Sequence, residues 1–206
     1  MSLKRWRFKD FLINHGLIIT YIRFILRGYR KYFNIFTHLR KKERLLLYKL
    51  ALSLKKNSII VEIGSYLGSS AAFLACAAKD RGHMVYCVDT WKNEGMSEGS
   101  RDTFAEFCIN IASIQSYIRI LRGNSAEIAR TFDRGIDLLF IDGNHSYDGV
   151  KQDVELWLPK LKDNGIIIFH DVAWEEGVQK VINEYIQPIV EERAILANTY
   201  WAKVKK

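Results

Sequence analysis

Apolar and polar positions along the 206-residue chain change texture near residue 57. Before it, apolar residues recur at helical spacing. In "LIITYIRFILRGYRKYFNIF", residues 17–36, Ile18, Ile22, Ile25, Tyr29 and Phe33 fall away from Arg23, Arg27 and Arg30, which repeat at i, i+4, i+7. That pattern predicts an amphipathic helix with a cationic stripe. A second helix is expected to start at Thr37, a residue type favoured at helix N-termini, and to run through "RKKERLLLYKLALSL". "KKNS" then breaks the period.

From residue 58 onward the apolar residues come in unbroken runs: "SIIVEIG", "MVYCVDTW", "YIRILRG", "IDLLFIDG" and "GIIIFHDV". Such runs are strands covered on both faces, as parallel strands are. Helical patterns separate them over 69–80, about 101–113, 125–132, 147–158 and 174–187. The alternation predicts an α/β fold with a doubly wound, mostly parallel sheet. At the end, "RAILA" and "YWAKV" around "NT" predict an antiparallel hairpin, which brings the sheet to seven strands. Pro159 and Pro188 fall near predicted helix ends. Two parts are expected: a helical segment over residues 1–56 and an α/β domain over 57–206.

Charge sharpens that division. The chain holds 31 Lys/Arg and 23 Asp/Glu, a net of +8. Residues 1–56 carry 15 bases and 2 acids, and the rest 16 and 21, so the two parts stand at +13 and −5. No run of about 18 uncharged apolar residues occurs, so no membrane span is expected. The start "MSLKRWRFKDFL" lacks an apolar core and a cleavage site, so no secretory leader is expected. Cys76, Cys87 and Cys108 sit in apolar patterns without metal-type spacing, which fits small buried hydrophobes in a reducing cytoplasm.

Open parallel sheets bind ligands outside the carboxyl ends of their strands. The residues there are Gly64 and its neighbours, Asp89 with Thr90 and Trp91, Gly123 to Ser125, Asp142 to His145, and His170 with Asp171. Capping of the next helix would account for one such acid, but less readily for three together. The turn "GSYLGS" has neither the glycine spacing of a dinucleotide site nor the Gly-Lys-Ser/Thr of a phosphate loop. Its glycines allow a tight turn and a close approach to a ligand. Glu62 would repel a phosphate and suit an amine, and Asp89 can take two ribose hydroxyls. A phosphate-free nucleoside with an amino-acid tail, S-adenosylmethionine, meets these demands.

"VEIGSYLGSSAAFLA", "VDTW" and "IDGNHSYDGVKQDVELWLPKLKDNGIIIFHDV" together resemble the class I S-adenosylmethionine-dependent methyltransferases. Within that class the chain is similar to the catechol-type, metal-dependent O-methyltransferases and the macrocin O-methyltransferase-like group, over about residues 37–205. The resemblance implies the Rossmann-like methyltransferase fold. It implies that Glu62, Gly64, Ser65, Tyr66 and Gly68 shape the cofactor turn, that Ser70 meets the methionine carboxylate and that Asp89 holds the ribose. Trp91 would flank the adenine, Ser125 would meet its amino edge, and Asp142 would border the cofactor. Helix capping is the rival reading for Ser70 and Ser125, and plain packing for Trp91.

Asp142, His170 and Asp171 would hold a divalent metal, Mg²⁺ or Mn²⁺, with His170 standing where relatives carry an acid. His145 takes the place of a lysine that deprotonates the acceptor hydroxyl; capping of the next helix is its alternative role. The implied activity is O-methylation of a small hydroxylated molecule, a sugar or natural-product intermediate. The rival readings are an RNA methyltransferase gripping phosphates through the basic segment, and a non-enzymatic module on a membrane surface. The metal-type acids argue against nucleic acid. "KNEGMSEGSRD", 92–102, reads either as a lid over the acceptor or as an ordinary loop. Residues 1–36 are expected to cover the acceptor site, to join two copies in a homodimer, or to lie on an anionic membrane as a peripheral contact.

Overall fold

The structure is a computed structural model that describes residues 16–93 and 99–206. The basic start with Trp6, Phe8 and Phe11, and the centre of the proposed lid, lie outside the described residues.

Seven strands form one sheet in the order β3-β2-β1-β4-β5-β7-β6. They are β1 Ile59–Ile63, β2 Met84–Asp89, β3 Ile118–Arg122, β4 Ile136–Ile141, β5 Leu161–Phe169, β6 Val190–Leu196 and β7 Thr199–Val204. The first five pair in parallel. β7 runs antiparallel between β5 and β6, as the hairpin pattern predicts. The chain order reverses between β1 and β4, which leaves a crevice at their carboxyl ends.

The unbroken apolar runs are explained by the two layers that cover the sheet. Ile60, Leu138, Phe140 and Ile168 enter one apolar cluster, whereas Val61, Leu139, Ile141 and Ile167 enter the other. Successive strand residues point to opposite faces, so a strand covered on both needs no polar alternation. α5 (Ser125–Thr131), α6 (Tyr147–Trp157) and α7 (Glu176–Val181) cover the second face. α3 (Ser69–Arg81) and α4 (Phe104–Ile111) cover the first.

A third layer lies on α3. It is made of α1, residues 16–26, a 3₁₀ turn over Arg30–Asn34, and α2 (Lys41–Ser53). Residues 69–78 of α3 are buried without a break, because sheet and third layer enclose the helix from both sides. Phe24 of α1 stacks on Phe73 of α3 with ring centroids 4.4 Å apart, and meets Tyr48 of α2 edge-on at 5.1 Å. Residues 16–56 thus share one apolar cluster with α3 and β1.

Two expectations for this layer are corrected. The helical pattern of 17–36 is not one helix. Gly28 takes φ +79°, and the Gly28 and Tyr29 N–H groups donate back to Ile25 O (2.9 Å) and Phe24 O (3.1 Å). That paired closure, with glycine in the left-handed region, ends α1. Nor does Thr37 start the second helix: its hydroxyl accepts from Leu39 N at 3.1 Å, closing a local turn. α2 starts after Arg40, whose N–H donates to the Glu43 carboxylate at 2.7 Å. An acid three residues into a helix is suited to that bond.

Candidate active site

The β1–α3 turn and the end of β2 form one half of the crevice. Asp89 binds the turn through backbone donors. Its Oδ2 accepts from Ser65 N (2.7 Å) and Tyr66 N (2.8 Å), and its Oδ1 from Trp91 N (2.7 Å). A carboxylate has about four acceptor positions, so Asp89 keeps capacity for a further donor. Ser65 Oγ donates to Glu62 Oε2 at 2.6 Å, while the buried Glu62 Oε1 has no hydrogen-bond partner. Burial pushes the Glu62 carboxyl up to about 7, with Ser65, Ser70 and Cys87 pulling the other way. Ser70 is buried in the first turn of α3, where helix N–H groups lack partners within the helix.

The turn glycines serve the fold directly. A Cβ on Gly64, at φ +86°, would stand 2.1 Å from the Asp142 carbonyl oxygen. A Cβ on Gly68, at φ +84°, would meet the Phe107 ring at 2.9 Å. Both glycines are thus required by the protein's own backbone and core. Tyr66, at φ +44°, is a non-glycine residue held in the same unfavourable region.

Trp91 does not flank a ligand surface. It is 0% exposed, packs on Phe104 and Phe107 with centroids at 5.2 and 4.7 Å, and donates from Nε1 to Tyr66 O at 3.0 Å. Packing is its role, and it braces the turn from behind. Ser125 does not cap α5, since Asn124 Oδ1 accepts from Ala126 N at 2.9 Å. The Ser125 hydroxyl accepts from Trp157 Nε1 at 2.8 Å and stands beside Asp153, whose carboxyl burial raises to about 6.

The other half of the crevice is a charged cluster. β4 and β5 pair Ile141 with Phe169, so Asp142 and His170 follow side by side. His170 Nδ1 lies 3.3 Å from Asp142 Oδ1 and 3.3 Å from Asp171 Oδ1. Consecutive residues of a strand point to opposite faces. Asp171, at φ +59°, leaves strand geometry, and both neighbours reach one place. His145 enters from the loop after β4: its Nε2 lies 3.2 Å from Asp171 Oδ2 and 3.6 Å from Asp142 Oδ1. That nitrogen is buried and makes no hydrogen bond. Capping of α6 falls instead to Ser146, whose hydroxyl accepts from Gly149 N at 3.1 Å.

Two residues that the sequence reading did not single out complete the cluster. Glu43 of α2 is fully buried, with Oε2 3.7 Å from His170 Nε2. Its Oε1 accepts from Asn198 N (2.7 Å) and Thr199 Oγ1 (3.2 Å). Asn198, in the β6–β7 turn, donates from Nδ2 to Asp171 Oδ1 at 2.5 Å. The one available signal was Glu43 itself, the single acid among 11 bases in residues 16–56.

Burial opposes charge on His170, but the carboxylates of Asp142, Asp171 and Glu43 outweigh it and push the imidazole up to about 12. Burial likewise opposes charge on Asp142, Glu43 and His145. The carboxylate–imidazole contacts win there too, lowering the two acids and raising the histidine. Three carboxylates around one small space thus select for positive charge. Asp142, His170 and Asp171 each offer a ligand atom, and these atoms lie within 4.8 Å of one another. Two hard oxygens and one imidazole suit a divalent ion of the Mg²⁺ or Mn²⁺ type.

Residues 61–172, more than half of the chain, match the family profile described as "Methyltransferase domain". The chain belongs to this methyltransferase family. Two curated relatives are themselves uncharacterised. Protein y4gI of Sinorhizobium fredii is 32% identical over 122 residues, covering 57% of this chain and 13% of the relative. Protein R132 of Acanthamoeba polyphaga mimivirus is 28% identical over 149 residues, covering 70% of this chain and 66% of the relative. Among solved structures, the O-methyltransferase NovP superposes with a TM-score of 0.69 at 16% identity, over 82% of each chain. The methyltransferase PaMTH1 of Podospora anserina, solved with SAH bound, gives 0.66 at 17% identity, over 94% of this chain and 88% of that one. The architecture is the seven-stranded, Rossmann-like fold of class I methyltransferases.

Proposed function

We propose that this methyltransferase moves the methyl group of S-adenosylmethionine to a hydroxyl of a small molecule, a sugar or natural-product intermediate. A divalent ion, Mg²⁺ or Mn²⁺, held by Asp142, His170 and Asp171 takes part. The observation that carries the reading is the convergence of those three ligand atoms within 4.8 Å, with His145 Nε2 at 3.2 Å from Asp171. The likeness to an O-methyltransferase and to a structure with SAH bound supports the donor and the acceptor atom.

In this reading the chain's residues divide the work. The first turn of α3, with Ser70, offers N–H groups and a hydroxyl to the methionine carboxylate. Asp89 uses its remaining acceptor capacity on the ribose. Glu62, with one oxygen unpaired, gives the amine end a carboxylate. Tyr66 lines the turn, and Ser125 borders the adenine end from α5. His145 Nε2 takes the proton of the acceptor hydroxyl. The freed oxygen pair bonds the methyl carbon in line, the C–S bond breaks, and its electrons stay on sulfur. The donor's positive charge is lost in that step, so positioning of the two partners accounts for most of the barrier reduction. A bound divalent ion makes a hydroxyl more acidic and orients it.

The test uses the full chain with a panel of hydroxylated acceptors. Chelation should abolish turnover while the dissociation constant of S-adenosylhomocysteine stays unchanged, and Asp171→Ala should do the same; Asp142→Ala should abolish turnover. Full turnover after chelation and in both variants would remove the metal from the mechanism.

A further inference from the structure

α1 packs on the fold through Leu17, Thr20 and Phe24. The opposite side of the helix is also apolar. Ile18, Ile22 and Leu26 recur every four residues and are 59%, 51% and 82% exposed, and Ile19 beside them is 72% exposed. Scattered surface hydrophobes need no explanation. Here they are contiguous: Ile19, Ile22 and Leu26 line one shallow groove with Arg23 and Arg27. Both arginines face the same carboxylate, Asp80, at 3.7 Å, and that acid already accepts the Tyr29 and Tyr48 hydroxyls. One acid against two guanidinium groups leaves positive charge at the rim. The surrounding segment, 16–56, carries 11 bases and the single, buried Glu43.

We propose that this face of α1 docks the protein on an anionic lipid bilayer. Charge complementarity selects that occupant. A second copy seated on the same face by two-fold symmetry would bring Arg23 and Arg27 against their own counterparts. A nucleic acid would neutralise the arginines but leave the isoleucine and leucine side chains in water. A bilayer with acidic headgroups answers both, taking the apolar stripe into the headgroup boundary and the guanidinium groups onto phosphates. α1 lies against α2 and α3, in the layer outside α3.

The inference stands apart from the chemistry proposed above, and its test does not use activity. The full chain is co-sedimented with phosphatidylcholine vesicles, and with vesicles carrying roughly one third phosphatidylglycerol. Binding is expected only to the anionic vesicles and should fall at high salt. Ile19→Ser/Leu26→Ser should reduce it about tenfold or more, with an unchanged melting temperature because both side chains are exposed. Should that variant melt lower, Arg23→Gln/Arg27→Gln, at the rim of the same groove, supplies the independent arm and should also weaken anionic binding about tenfold. The proposal is overturned by equal binding to both vesicle types, or by none. It is overturned equally by anionic binding that survives these substitutions. A dimer that Ile19→Ser/Leu26→Ser converts to monomer, without vesicle binding, would assign the face to a second copy instead.

Discussion

The two halves of the crevice are built in different ways. The proposed donor half, from Glu62 to Ser70 with Asp89, is held by backbone. Three N–H groups converge on one carboxylate, and two glycines sit where no Cβ fits. The proposed acceptor half, Asp142, His145, His170 and Asp171 over Glu43 and Asn198, is held by opposed side-chain charges. The first tolerates little change of shape. The second tolerates little change of charge. In the proposed reading, a rigid donor pocket beside a charge-tuned acceptor pocket would let one fold keep its cofactor while the chemistry next to it varies.

The sharpest way to break that contrast is Gly64→Ala. The added Cβ meets the Asp142 carbonyl at 2.1 Å in a left-handed backbone, so β1 and β4 cannot keep their spacing. We expect a loss of about 4 kcal/mol or more in urea unfolding. A loss below about 1 kcal/mol would mean that the turn is soft.

Next in size is a pH effect on the donor half. Glu62 has its folded pKa raised from 4.5 to about 7. A raised carboxyl binds its proton more tightly when folded, so its stabilising contribution is complete at low pH and is lost as pH climbs from 4.5 through 7. Glu62→Gln should abolish that part of the slope. Between the two limits, the difference between variant and wild type should change by roughly 3 kcal/mol, read by urea unfolding without cofactor. Parallel pH profiles would show that Glu62 does not titrate there.

The smallest effect tests the acceptor half from behind. Glu43→Gln keeps the size of the side chain and removes the charge facing His170. Loss of a buried partner outside the ligand set weakens metal affinity, here by about tenfold, with S-adenosylhomocysteine affinity unchanged. Calorimetric titration with Mn²⁺ reads the first, and titration with S-adenosylhomocysteine the second. Equal loss of both affinities would mean that Glu43 only holds α2 in place.

The contrast also explains what the sequence could show. The strands, α3 and the hairpin were legible because each is written in a contiguous stretch and the sheet is covered on both faces. The ends of the cluster, Asp142 and His170 with Asp171, were legible because the carboxyl-edge rule points to strand ends. Glu43 and Asn198 were not, since their bond joins residues 155 apart and no local pattern encodes it. The glycines were visible, but Asp142 and Phe107 as the neighbours that exclude a Cβ were not. Whether a missing side chain makes room for a ligand or for Asp142 depends on strand order, which local patterns do not fix. Trp91 followed the same logic: its place after β2 suggested a ligand, but α4 packs over it. Thr37 is a preferred cap type, yet the bond between Arg40 N–H and Glu43 decides where α2 begins.

The central claim is that Asp142, His170 and Asp171 form a metal site beside a donor pocket that does not depend on it. Calorimetric titration of Mn²⁺ into the full chain, wild type and Asp171→Ala, tests this most directly, each with and without saturating S-adenosylhomocysteine. The account predicts one ion per wild-type chain, none in the variant, and intact S-adenosylhomocysteine binding in both. Failure of the wild type to bind Mn²⁺ while it binds S-adenosylhomocysteine normally would contradict it.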